Sequence, residues 1–350
     1  MNVRSISAFR RRGALSALGP VLLVVSMLLS TGTAAAAASP AAAVSSAQRW
    51  LLGQQAADGG FIGFSGTSDM GATTDAVIAL ASAPTPDGAA AIAKAMAFLK
   101  SGALVYTQAG VGQAAKLVLA VVAAGGDPRD VGKVDPLAIV EQTVKTSAGL
   151  YGNGVYDHAL AMLAQVAAGG KVAEKALKPL SGTQNEDGSW AFDGSKGAAT
   201  GDTNTTAVVV QALAAAGFGT SPMIPKALAY LHAVQKPEGG FGFQGGDAAL
   251  ADANSTALVV QGVIAAGQDP SSAEWKNATG ALLAFQNPGG AFRYQLTPPD
   301  DNLFATLQAV PALAGKALPV RAAGAATPIA TCLTPTPLNA TPQAELDCAA

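Results

Sequence analysis

The most chemically suggestive group in the chain is a histidine set among an acid and two tyrosines: Tyr151, Tyr156, Asp157 and His158, in and just after the glycine-rich stretch GLYGNGVY. A histidine beside a carboxylate at a cavity mouth has the make-up of a general base, and the tyrosines beside it could contact a ligand. No nucleophile accompanies it, so a purely structural histidine is the competing reading. A second group is made of amides. Asn204 and Gln211 in DTNTTAVVVQ are seven residues apart, as are Asn254 and Gln261 in DANSTALVVQ, which puts each pair on one helix face. Facing inward they would line a cavity and hydrogen-bond a polar ligand; facing sideways they would tie neighbouring helices together. The third group is the carboxylate pair Asp300 and Asp301 in PPDDN. Asp202 and Asp252, just ahead of apolar helical runs, read as N-caps. The acidic, glycine-rich loops 191–204 and 241–254 suggest calcium, but they lack EF-hand order and their carboxylates are sparse. Neither a metal site nor a cofactor is expected.

The elements that position these residues recur. TAVVVQALAAAGF (206–218) matches TALVVQGVIAAGQ (256–268) at a shift of 50, and weaker copies begin at Thr73, Ala114, His158 and Ala305. Gly125, Gly169, Gly217 and Gly267 close four of these runs, where a glycine can take positive φ as a helix C-cap. Each run is preceded by an amphipathic partner: 45–55, 90–102, 136–146, 172–184, 224–235 and 272–286. Apolar helices alternating with amphipathic ones imply an inner and an outer ring. Neither end supplies the polar cap that an open solenoid needs, so the expected fold is all-α, an (α/α)6 toroid of six helical hairpins. Gln55, Gln184, Gln235 and Gln286 each end an outer helix and open a Gln-x-x-x-Gly-x-aromatic stretch. Four such stretches around one ring read as structural joints. Trp190, Phe241 and Phe292 pack over them, while Phe64, Phe192, Phe243 and Tyr294 lie further out, toward a rim.

Outside residues 44–318, the composition changes. Residues 1–38 hold Arg4, Arg10, Arg11 and Arg12, then an apolar run and Ala36-Ala37-Ala38, the pattern of a secretory signal peptide cleaved near Ala38. Losing that leader takes the formal charge from −2 to −6, with 17 basic against 23 acidic side chains left. An acidic chain gives no footprint for nucleic acid, and no later segment offers an unbroken apolar span of about 20 residues for a membrane. Residues 319–350 form a Pro/Thr-rich tail with the only two cysteines, Cys332 and Cys348, which in an exported chain are expected to pair as a disulfide.

The joints resemble the repeat shared by squalene and other terpenoid cyclases and by protein prenyltransferase beta subunits, over about residues 44–315. The resemblance implies the toroid but does not carry those activities across. A cyclase of this kind protonates its substrate with a D-x-D-D motif, and PPDDN (298–302) lacks the first acid. A prenyltransferase holds zinc with Asp, Cys and His, and the toroid region has no cysteine. Complement-like thioester domains need a cysteine near glutamine in a glycine-rich turn, also missing from this region. Asn302 to Pro319 looks like the last repeat of the cobalamin carriers, whose second domain has no counterpart here. Exported bacterial prenyltransferase/squalene-oxidase-repeat proteins are the group most similar. The expectation is a secreted, noncatalytic protein that binds a small molecule, glycan or surface partner in its cavity or at its rim. A divergent cyclase- or transferase-like enzyme and a structural envelope domain are the alternatives.

Overall fold

The computed structural model describes residues 39–197, 200–246 and 250–322. Residues 1–38, expected to be a leader, and residues 323–350, with Cys332 and Cys348, lie outside the described residues.

Twelve α-helices alternate along these residues between the two rings. The outer helices are α1 (Pro40–Leu52), α3 (Pro86–Gln108), α5 (Pro136–Thr146), α7 (Leu177–Thr183), α9 (Met223–Val234) and α11 (Ala278–Leu283). The inner ones are α2 (Met70–Ser82), α4 (Val111–Ala123), α6 (Val155–Ala167), α8 (Thr203–Ala215), α10 (Ala253–Ala265) and α12 (Leu303–Leu313). Each inner helix packs on the next, and α12 packs back on α2, so the inner ring closes. The inner helices are almost wholly apolar because both flanks and the outer face are covered; Ala76, Leu117, Leu163, Val209 and Val259 are fully buried.

The helices begin and end where the sequence places the signals. Asp202 and Asp252 cap α8 and α10, each accepting a backbone N–H three residues on, from Thr205 (2.6 Å) and Ser255 (2.7 Å). Gly125, Gly169, Gly217 and Gly267 all lie at φ between 76° and 83°. Two outer helices are shorter than their apolar spacing predicts. Glu174–Ala176 is a 3-10 turn ahead of α7. Lys276 and Asn277 take left-handed φ (43° and 51°), so α11 starts only at Ala278, capped by the Asn277 side chain. α3 has the length and apolar composition to cross a membrane. It carries Asp87, Lys94 and Lys100, and here it packs along α2 and α4 as an outer helix.

The four Gln-x-x-x-Gly-x-aromatic stretches are joints in a literal sense. The Nε2 of Gln55, Gln184, Gln235 and Gln286 donates to the carbonyl of the glycine four residues on, at 2.9 Å each time. The same amide also donates to a carbonyl of the next outer segment: Ala91 (2.8 Å), Met223 (3.0 Å), Trp275 (2.6 Å) and Ala43 (2.8 Å). The last of these runs from the sixth hairpin to the first and closes the outer ring. The bonded glycines, Gly59, Gly188, Gly239 and Gly290, have φ between 88° and 99°, and a Cβ on any of them would overlap a backbone carbonyl of the neighbouring hairpin.

A threonine completes each joint. Thr73, Thr206, Thr256 and Thr306 sit four residues past their helix cap, and the hydroxyl donates to the cap carbonyl. The same oxygens accept the N–H of the joint aromatics Phe61, Trp190, Phe241 and Phe292 at 2.8–3.0 Å. In the first joint the chain forms a short antiparallel pair, β1 (Phe61–Ile62) with β2 (Ser68–Asp69), Phe61 opposite Asp69.

Candidate functional site

An axial cavity of about 70 Å³ runs inside the inner ring. Counted from each inner helix's cap, the second, sixth and ninth residues form three layers around the axis. The second-residue layer, toward the joints, holds Gly71, Gly112, Tyr156, Asn204, Asn254 and Phe304. The sixth-residue layer holds Asp75, Lys116, Leu160, Val208, Leu258 and Gln308, all of which line the cavity. It is polar on the α2, α4 and α12 side and aliphatic on the α6, α8 and α10 side. The ninth-residue layer includes Ile78, Leu119, Gln261 and Pro311, and Leu318 closes the cavity from the far end.

The charged part of the wall is an ion pair. Lys116 Nζ meets both carboxylate oxygens of Asp75, at 2.7 and 2.8 Å. Each side chain keeps about a quarter of its surface free (28% and 24%), so the pair is half-buried at the cavity wall. Burial alone would pull the Lys116 ammonium's pKa down; the Asp75 carboxylate overrides it, and the net shift is upward. Burial also raises Tyr106 and Tyr156, the two phenols that border this pair. Asp75 and Lys116 were not among the sequence candidates. Inner helices carry only three carboxylates or ammonium groups, Asp75, Lys116 and Asp157, and that rarity was the available signal.

The sequence candidates fall in three places. Tyr156 and Gln261 line the cavity; Gln211 lies at its far end and spends its carbonyl on the backbone N–H of Leu318 (2.9 Å). Asn204 accepts a bond from the Thr203 hydroxyl (3.2 Å), and Asn254 Oδ1 is buried with no partner. Asp300 and Asp301 stay on an exposed loop, where Asp301 accepts from Asn287 (2.7 Å), and neither lines the cavity.

Tyr151 and His158 form a joint rather than a cavity wall. His158 is fully buried and stacks on Tyr151 with ring centroids 4.1 Å apart. Its Nδ1 accepts the backbone N–H of Tyr151 (3.0 Å), and its Nε2 faces the Ala176 carbonyl at 3.0 Å, which fixes the Nε2–H tautomer. Four residues past the Gly154 cap, His158 occupies the joint threonine's position, and Tyr151 takes the part of the joint aromatic. Burial lowers its pKa to about 4, so the ring is neutral at neutral pH with both nitrogens engaged.

The joint loops also build a rim. Phe64, Phe192, Phe243 and Tyr294 are exposed to 90%, 56%, 46% and 45%, although the joint aromatics before them are fully buried. Three of these residues offer their carbonyl to the N-terminus of the preceding inner helix: Phe192 to Tyr156, Phe243 to Thr203 and Tyr294 to Ala253. The fourth, Phe64, stacks on Phe304 of α12 at 4.2 Å, and Phe192 stacks on Tyr156 at 5.4 Å. The result is a crown of aromatics over α6, α8, α10 and α12. Over α2 and α4 it is interrupted, because only Ala109 and Gly110 separate α3 from α4 and the loop before α6 buries its aromatic, Tyr151.

Two concentric rings with joints at one rim are a known arrangement. The fold is the α/α toroid. A variant of the type II terpene cyclase MstE from Scytonema, holding geranylgeranyl dihydroxybenzoate, superposes with a TM-score of 0.58 at 16% identity, covering 79% of this chain and 97% of that one. A protein from Actinoplanes superposes with a TM-score of 0.56 at 16% identity, covering 79% and 98%. The GH76A alpha-1,6-mannanase from Salegentibacter sp. HEL1_6 does so at 0.57 and 12% identity, covering 78% and 98%. At these identities the likeness is one of toroid architecture. No family model and no curated protein matches the chain.

Proposed function

We propose that this chain is an exported, noncatalytic toroid that binds a protein partner through its aromatic crown. The observation carrying the reading is the set of four exposed aromatics, each anchored through its backbone or a stack to the helix beneath it. Four large aromatics exposed on one rim are a candidate interaction surface, and aromatics dominate the energetics of protein interfaces. Among the described residues of the joint loops, Asp58, Glu186, Asp187, Asp193, Glu238, Asp300 and Asp301 outnumber Lys196, Lys236 and Arg293. A partner face mixing apolar and basic side chains is therefore favoured.

The cavity supports this choice by its size and chemistry. Small-molecule sites usually enclose about 300–1,000 Å³, against about 70 Å³ here. Its one carboxylate is paired on both oxygens with Lys116, which leaves it less available to a ligand. The arginine-rich leader pattern supports export. The toroid neighbours include enzymes, but fold likeness does not transfer an activity.

The test is site-specific photocrosslinking in the producing cells. A photoreactive residue would replace Phe64 or Phe243 on the crown, and Gln142, exposed on α5, would serve as the control. Defined protein adducts from both crown positions and none from the control are expected. Equal labelling at all three would sink the proposal. Loss of crown adducts on digesting surface polysaccharide would keep the site and change the partner to a glycan.

A further inference from the structure

The far end of the toroid is closed by the segment after α12, and the way it is held has the features of peptide recognition. Lys316–Arg321 (KALPVR) crosses the C-terminal ends of the inner helices. Gln211 Oε1 accepts the Leu318 N–H, and Gln261 Nε2 donates to the Lys316 carbonyl, both at 2.9 Å. Two side-chain amides thus read a backbone acceptor and a backbone donor two residues apart, just ahead of the bend at Leu318–Pro319. The Leu318 side chain enters the axial cavity. Arg321 donates to the Val166 and Ala167 carbonyls (2.6 and 3.0 Å), where the end of α6 favours a cation.

Of the segment's six residues only Val320 is buried. Nor does it exhaust the surface it covers. Gln211 is fully buried, yet its Nε2 has no partner. Beside Arg321, a hollow of about 350 Å³ continues between the ends of α4 and α6, walled by Gly125, Asp127 and Gly169.

We infer that this end of the toroid is a binding site for a polypeptide segment carrying leucine and arginine three residues apart, occupied in cis by Lys316–Arg321. The cis segment acts as a tethered competitor. Its effective concentration is of millimolar order for a short link, so a trans peptide binds weakly until the strap is weakened. The site is independent of the crown, at the opposite end of the ring.

Two measurements on the full chain test it. The first is native-state hydrogen exchange of the wild type. The Leu318 and Arg321 amides should exchange at least 100-fold faster than those of Val209 and Val259 in the core. The second uses a labelled synthetic peptide of residues 314–322, added to the Leu318→Ala/Arg321→Ala variant, with folding checked by circular dichroism. Saturable uptake at least tenfold tighter than by the wild type is expected, with none for a peptide bearing alanine at both positions. Folded variant that ignores the peptide would overturn the inference. So would strap amides that exchange only with global unfolding, a result that stands even if the variant does not fold.

Discussion

Replacing His158 with threonine tests whether this residue is a joint or a reactive group. Its imidazole has a pKa of about 4 in the folded chain against 6.5 as an ordinary side chain. Between these values the unfolded chain binds a proton that the native chain refuses, so stability falls as pH drops through that window. At about 1.36 kcal/mol per pH unit, the gap corresponds to about 3 kcal/mol lost between pH 7 and pH 4. His158→Thr restores the residue used at four other joints, keeping an acceptor for the Tyr151 N–H. It removes the stack on Tyr151 and the bond to Ala176 and leaves a cavity, a cost of about 2–4 kcal/mol at pH 7. Burial raises the carboxyls of Asp202 and Asp252, which favours the native state on acidification, but both proteins share that effect and it cancels in their difference. Urea unfolding followed by circular dichroism, at intervals from pH 7 to pH 4, should show the variant less stable at neutrality and the two proteins converging by pH 4. Parallel stability curves would refute the reasoning.

Three further outcomes are expected. Lys116→Met strands the Asp75 carboxylate and should cost about 2–4 kcal/mol, the wetted cavity wall lowering the usual figure for a broken buried pair, while Asp75→Leu/Lys116→Met should recover most of it; urea midpoints read the coupling, and additive losses would show that the pair is not interacting. Because Asp75 raises the Lys116 pKa, the pair's contribution is complete below the ordinary lysine value and fades as pH rises through the folded one, which a stability series above pH 10 would register. Gln286→Ala removes the hydrogen bonds to the Ala43 and Gly290 carbonyls and leaves that of Gly290 without its partner, while Ala43 keeps the Ser46 hydroxyl, a loss of about 1–3 kcal/mol, and hydrogen exchange should rise first in α1 and α11; uniform protection across the ring would contradict the joint's role.

Local chemistry explains which features could be read without coordinates. Aspartate caps, positive-φ glycines and apolar spacing each act within a few residues, so the hairpins and their joints were legible as sequence. The joint glutamines were legible as helix-end residues but not as links between hairpins, since Gln286 and Ala43 meet across 243 residues. Asp75 and Lys116, 41 residues apart on separate helices, offer no local pattern beyond being charges in apolar runs. The amide face of α8 and α10 was legible from the spacing of Asn and Gln, and its glutamines turn out to hold the chain's own backbone. His158 illustrates a different gap. Aligning the inner helices by their caps, rather than by their apolar runs, sets it in line with Thr73, Thr206, Thr256 and Thr306 and would have identified its role.

The bond from Gln286 to Ala43 has a bearing on how such a chain can change over generations. An open stack of hairpins can lengthen by duplicating a unit, because its last member simply receives another neighbour. Here the sixth hairpin is already spoken for by the first, and α12 already lies against α2. A seventh unit would have to widen the circle, separating every pair at once and opening a hole along the axis. The number of units is therefore fixed even though their content is free to diverge, as hairpins two and three have done. Variation is channelled into the loops at either face, the part of the molecule that other molecules meet.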